Sequence, residues 1–229
     1  MIHHAVLTDA GRRRGENEDR VAADVGSGTF IVADGMGGLA DAGTTAQMVV
    51  DELPVRLSDR VGELTGPDVV DLATAVAAEL NEQVRRTARC GAGNTGAAAA
   101  LLLVRAGRAL AVHLGDSRIY LTRGGRLRRL TKDHALPAGQ LTRFVGMNGV
   151  VRPGVSLHDL EAGDRMLLCT DGLTGGVDDY RVGALLATSS DVHVACRSLV
   201  DAARAGGSAD DISMIAVEYG AREGWPSRG

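Results

Sequence analysis

The sequence predicts an α+β protein in which antiparallel sheets pack together and helices cover them. Three observations carry this. Apolar, strand-like runs come in groups separated by short glycine-containing turns, such as Ala106-Gly107 and Gly124-Gly125. Two long amphipathic stretches stand between these groups instead of alternating with single strands. No internal repeat, low-complexity block or linker divides the chain, so one domain is expected over 1–220, with a C-terminal tail at 221–229.

Each element has its own signal. Ala5-Val6-Leu7-Thr8 reads as a first strand, followed by a polar segment from Gly11 to Asp19 that holds Arg12-Arg13-Arg14 and Asn17-Glu18-Asp19. Phe30-Ile31-Val32-Ala33 is a buried strand that runs into Asp34 and the glycines Gly35, Gly37 and Gly38. Ala42, Ala46, Val49, Val50, Leu53 and Leu57 recur at helical spacing. Pro67 opens a second helix with Val69, Leu72, Ala73, Val76, Leu80 and Val84 on one face, closed by Gly91 and Gly93. Ala97–Val104, Ala109–Leu114 and Arg118–Thr122 follow as strands whose short connections predict antiparallel neighbours, since a parallel crossover needs about a dozen residues. Met166–Thr170 is another strand. Asp191 is placed to cap a helix that turns Val192, Ala195, Leu199 and Ala202 inward, and Ile212–Val217 is a late strand. Arg222–Gly229 reads as a loose tail.

Composition narrows the function classes. Hydrophobic residues make up 45%, an ordinary globular share, and the net charge of -4 calls for neither nucleic acid nor an anionic membrane. Aromatics are only 3%, so the core must be aliphatic and stacking platforms for single-stranded nucleic acid are scarce. Cys90, Cys169 and Cys196 form no CxxC pair, which suits buried, reduced thiols. The start, Met1-Ile2-His3-His4, lacks a signal-peptide apolar stretch, and the longest apolar run, Ala97–Val104, is too short to span a bilayer. A cytoplasmic, monomeric protein is expected.

Alone, Asp34-Gly35 after a strand is only a turn. It is not alone. Met166-Leu167-Leu168-Cys169-Thr170-Asp171-Gly172 repeats the pattern of apolar run, carboxylate and glycine, and Leu114-Gly115-Asp116-Ser117 is a weaker version. Asp19 and Asp210-Asp211 add carboxylates beside apolar strands. Acids gathered at strand ends would repel one another and call for a cation, and oxygen ligands suit Mg²⁺ or Mn²⁺. Arg12, Arg13 and Arg14 read by themselves as a solvated turn, yet a guanidinium fits phosphate oxygens bidentately. Cys169 reads as a core thiol, His134 as structural, and the scattered histidines make zinc improbable.

Taken in order, Arg14-x-x-Asn17-Glu18-Asp19, Asp34-Gly35-Met36-Gly37-Gly38, Gly115-Asp116-Ser117-Arg118, Thr170-Asp171-Gly172 and Gly207-x-x-Asp210-Asp211-Ile212-Ser213 resemble the bacterial metal-dependent serine/threonine phosphatases of the protein phosphatase 2C (PPM) family. The resemblance runs from about Thr8 to Val217. It implies a β-sandwich of two antiparallel sheets flanked by helices, in four αββα layers, with a binuclear Mn²⁺ or Mg²⁺ centre at one end. By the same resemblance Asp34 bridges two ions and the Gly35 carbonyl binds one of them. Asp171 and Asp210 complete the pair, Asp19 helps through a water, and Asp116 joins Asp171 at a weaker third ion. Arg14 grips the substrate phosphate. The implied reaction is attack of a metal-bridging hydroxide on phosphoserine or phosphothreonine of a protein, opposing a Ser/Thr kinase. The alternative is a weak or inactive pseudophosphatase that binds phosphoprotein.

Three departures stand out. Leu39 occupies the place where relatives usually carry histidine, and Asp211 the place of asparagine. Very little chain separates Lys132-Asp133-His134 from Leu141-Thr142-Arg143-Phe144-Val145-Gly146, where relatives place a mobile flap. A more open site is expected.

Overall fold

The computed structural model describes residues 1–12, 16–36, 42–64, 68–90 and 95–220, without the side chains of 88–90. Arg14, Leu39, the Pro67 and Gly91/Gly93 helix boundaries and the expected tail lie outside the described residues. Along the chain come β1 (Ile2–Asp9), β2 (Asp19–Asp24), β3 (Thr29–Gly35), α1 (Ala42–Arg60), α2 (Asp68–Cys90), β4 (Ala97–Arg105), β5 (Arg108–Leu114), β6 (Arg118–Arg123) and β7 (Arg126–Arg129). After them come β8 (Gly154–Asp159), β9 (Arg165–Cys169), α3 (Asp171–Thr174), α4 (Asp179–Thr188), α5 (Val192–Ala205) and β10 (Ile212–Tyr219).

The strands form two five-stranded antiparallel sheets, ordered β1-β10-β9-β6-β7 and β2-β3-β4-β5-β8. Alternation along each strand explains the layering. On β3, Phe30 and Val32, with Ala100 and Leu102 of neighbouring β4, face the other sheet, where they meet Ile119, Met166, Leu168 and Ile215. Ile31 and Ala33 face the opposite way, onto α1 and α2 through Val49, Leu53, Leu57, Val76 and Leu80. The first sheet buries its outer face under α4 and α5, through Tyr120, Leu167 and Cys169 against Val182, Leu186, Ala195 and Leu199. Strands wetted on neither face must be apolar throughout, which is why β4 reads Ala-Ala-Ala-Ala-Leu-Leu-Leu-Val. This is the expected αββα sandwich.

One reading of the sequence is corrected. β4 and β5 are antiparallel neighbours, but β6 does not pair with β5. The chain instead crosses at Gly115–Ser117 from one sheet to the other, where β6 pairs with β7 and β9. Gly115 adopts φ +93°, and a Cβ there would lie 2.4 Å from the Ala98 Cβ, so the crossing needs glycine. A short connection forces adjacency in space, which a sandwich supplies between sheets as well as within one. The anticipated Asp191 cap is present: its carboxylate accepts from the Val194 N–H at 2.8 Å.

The segment at the expected flap position is a tight turn. Ala135 bridges Leu141, the Leu136 N–H donates to the Gln140 carbonyl at 2.9 Å, and the His134 N–H anchors the turn on the Gly115 carbonyl at 2.9 Å.

Candidate metal centre

The register of β2 on β3 sets Asp19 directly opposite Asp34. Directly opposed cross-strand residues hold their Cβ atoms about 5 Å apart, so two carboxylates are forced side by side. Asp34 shares its face with Phe30 and Val32 and therefore points between the sheets, at the sandwich's end. β9 ends at Cys169 and delivers Asp171 there from the other sheet, and the inter-sheet crossing at Gly115–Ser117 delivers Asp116. Opposite Asp34 on its other side stands Ala98, a small side chain beside the acids.

Backbone contacts lock these strand ends together. A Cβ on Gly172 would lie 1.8 Å from the Asp211 carbonyl oxygen, and one on Gly11 would lie 2.5 Å from the Asp210 carbonyl carbon. A Cβ on Gly35 would lie 2.6 Å from the Ala42 carbonyl oxygen and 2.9 Å from that of Glu18. Gly11, Gly35 and Gly172 thus permit the segments that follow β1 and β9, the end of β3, the start of α1 and the segment before β10 to meet without side chains between them.

The electrostatics follow. The Asp34 carboxyl is held well above the usual carboxylate range, first by burial, then by repulsion from Asp19, Asp171 and Asp116; its carboxyl also hydrogen-bonds that of Asp171. Asp19 is raised to about 7 by burial, opposed by hydrogen bonds from Ser213 and Thr170 and reinforced by the charges of Asp211 and Asp171. The Thr170 hydroxyl donates to Asp19 at 2.9 Å. Asp116 is raised to about 6 by burial and then by Asp171, with Arg118 opposing weakly.

The donor set fits a hard dication: Asp19, Asp34 and Asp116 resist ionisation through burial first and neighbouring negative charge second, and Asp171 stands among them at the mouth of an apolar sandwich. Among the described residues no three such side chains already stand in closed ligand geometry, so the acids are gathered without being wrapped around one point.

The remaining expected residues sort as follows. Gly35 ends β3 beside Asp34. Asp210 lies on the loop packed against Gly11, and its Oδ1 accepts from the Asp211 N–H at 3.1 Å. Cys169 is fully buried with its thiol pushed up to about 12, which suits a core residue. His134 stacks on His113 with ring centroids 4.4 Å apart, and burial lowers its pKa to about 4.

Sequence reasoning missed how Asp211 acts. Its two oxygens accept separately from the Gly11 N–H at 2.7 Å and the Glu18 N–H at 2.9 Å, so one carboxylate ties together two residues that stand on either side of Arg14 in the sequence. An amide could offer only one oxygen, which gives a physical reason for aspartate at this position. Also missed was the hydroxyl web in which Asn17 donates to Thr8 at 2.9 Å, Thr8 meets Ser213 at 2.8 Å and Ser213 helps hold Asp19. The polar residues inside the first and last motifs were its only trace.

Comparison with known proteins agrees with this architecture. The chain is 30% identical over 240 residues to the serine/threonine protein phosphatase PstP of Mycobacterium tuberculosis, covering 95% of this chain; the chain spans only 45% of that relative's length. It is 28% identical over 236 residues to the protein phosphatase PhpP of Streptococcus pneumoniae, covering 93% of this chain and 96% of PhpP. A solved structure of the PstP catalytic domain in complex with two manganese ions superposes with a TM-score of 0.78 at 28% identity, over 95% of this chain and 97% of that one. The model of the family described as protein phosphatase 2C matches residues 10–205, and the chain belongs to that family.

Proposed function

We propose that the protein is a metal-dependent phosphoprotein phosphatase that hydrolyses phosphoserine or phosphothreonine. The observation that carries the reading is the cluster of Asp19, Asp34, Asp116 and Asp171, contributed by both sheets, in which burial and mutual repulsion raise Asp19, Asp34 and Asp116 above the usual carboxylate range. Manganese in the solved PstP structure supports the same choice of ion. In this reading Asp34, Asp171, Asp210 and the Gly35 carbonyl hold two Mn²⁺ or Mg²⁺ ions, Asp19 assists, and Asp116 with Asp171 serves a weaker third. When bound, such ions lower the pKa of water and neutralise charge building on a transferring phosphoryl group.

The chain's own residues do the rest. Thr170 and Ser213 fix the orientation of Asp19, Asp211 ties Gly11 to Glu18, and Arg14, which falls between those two in the chain, would grip the phosphate through its planar fork. No side chain acts as a covalent nucleophile. Among the described residues no helix is long and apolar enough to cross a membrane. A cytoplasmic monomer that removes phosphates added by a Ser/Thr kinase completes the proposal. The retained carboxylates argue against a module that only binds phosphoprotein.

The test is phosphate release from a phosphothreonine peptide with Mn²⁺, with Mg²⁺ and with chelator, beside Asp171→Ala. Metal-dependent release that falls at least about a hundredfold in the variant is expected, because the variant loses charge stabilisation in the transition state. Release that survives chelator or the substitution contradicts the reading.

A further inference from the structure

Positive charge is distributed very unevenly in this chain. Between Ser117 and His158 there are eight arginine and lysine side chains and a single carboxylate, Asp133, although the protein's net charge is -4. Three of the eight are consumed by acids: Arg118 and Arg129 converge on Asp133, and Arg123 pairs with Glu161 and Asp164. The other five, Arg126, Arg128, Lys132, Arg143 and Arg152, are exposed, and among the described residues none has a carboxylate partner.

Topology lines them up. β7 and β8 are the edge strands of the two sheets on the same side of the sandwich. On β7, Leu127 turns toward the helix-covered core, so Arg126 and Arg128 share the other face. Arg128 reaches the β8 residue His158, with Nη2 to Nδ1 at 3.2 Å. Arg143 donates to the Arg152 carbonyl at 3.3 Å and approaches His134 Nε2 at 3.4 Å. His134 in turn holds the Gly115 carbonyl, next to Asp116. The basic seam therefore follows the open edge between the sheets and ends at the candidate metal centre. Arginines on an edge strand commonly block strand addition. That role does not explain Lys132, Arg143 and Arg152, which lie outside any strand.

We propose that this seam is a docking track for an acidic substrate segment, taking carboxylates or further phosphates that flank the phosphorylated residue. The proposal rests on the phosphatase reading and adds a substrate class to it. From Arg126 to Lys132 the seam spans roughly 20 Å, the length of about six extended residues, so it suits a peptide strand. Continuity with the candidate metal centre and the scarcity of aromatic platforms favour peptide over nucleic acid.

Two peptides test it, each carrying one phosphothreonine, with glutamate-rich flanks in one and serine-glycine flanks in the other. Kd by fluorescence anisotropy and kcat and KM by phosphate release are measured for the full chain and for Arg126→Glu/Arg128→Glu, with p-nitrophenyl phosphate as a substrate too small to touch the seam. The native chain should prefer the acidic peptide, and the preference should fade with salt. The double variant should weaken Kd and KM for that peptide by about tenfold, with kcat and the two other substrates changed by less than about twofold. Absence of the preference, an equal loss on all three substrates, or equally tight capture of a single-stranded oligonucleotide would overturn the proposal. If no substrate is turned over, the phosphatase reading fails; the anisotropy comparison then still decides whether the seam recognises acidic peptide.

Discussion

Asp19 and Asp34 face each other across a strand pair, and burial, reinforced by neighbouring carboxylates, makes each costly to ionise. A carboxyl whose pKa is higher in the folded than in the unfolded protein binds its proton more tightly when folded. For Asp19, 3.8 in the reference state and about 7 when folded, native stability declines as pH rises between these values. In the presence of chelator, the free energy of urea unfolding should thus fall by on the order of a few kcal/mol from pH 4 to pH 7. Mn²⁺ should restore it at the upper end. A metal-free stability that climbs over this window would contradict the charge balance described. Asp211 offers a second test. Asp211→Asn keeps one acceptor for two backbone donors, so a loss of about 1–2 kcal/mol is expected. For a chain this size that lowers Tm by roughly 2–8 °C in chelator. The sequence revealed these acids because each follows an apolar run. It could not reveal the acceptor roles of Asp211 and Thr170, which depend on partners as far as 200 residues away along the chain.

At the scale of elements, the site is a junction where loops meet backbone to backbone. Gly172→Ala would press a Cβ into the Asp211 carbonyl, and both segments are anchored: Thr170 N–H donates to the Ser213 carbonyl, and Ser208 Oγ to the Gly172 carbonyl. The variant should lose about 3 kcal/mol or more, read as an unfolding midpoint well below the native one, and should respond poorly to Mn²⁺. A variant with native stability would show that the junction is looser than described. Strands and helices were legible from periodicity at this scale. Ala42, Ala46, Val49, Val50, Leu53 and Leu57 are all buried along α1, as their spacing requires. The destination of β6 was not legible. A three-residue link through Gly115 is equally compatible with a hairpin or a change of sheet, and only the burial of both faces of Ile119 and Tyr120, against different cores, decides it.

For the whole molecule, two sheets are needed to build one centre: β2 and β3 supply Asp19 and Asp34, while Asp171 follows β9 of the other. Sandwich closure and site assembly are therefore the same event, and dication binding should raise the stability of the entire chain by linkage. The αββα arrangement was legible because motif order matched a known family; the concentration of positive charge along one edge emerged only once β7 and β8 were placed side by side. The most direct measurement is a calorimetric titration of the full chain with Mn²⁺, beside Asp34→Asn. Two dications bound per chain, with binding largely lost in the variant, is the result this account predicts. Mn²⁺ binding that is absent from folded protein, or unchanged by Asp34→Asn, would contradict it.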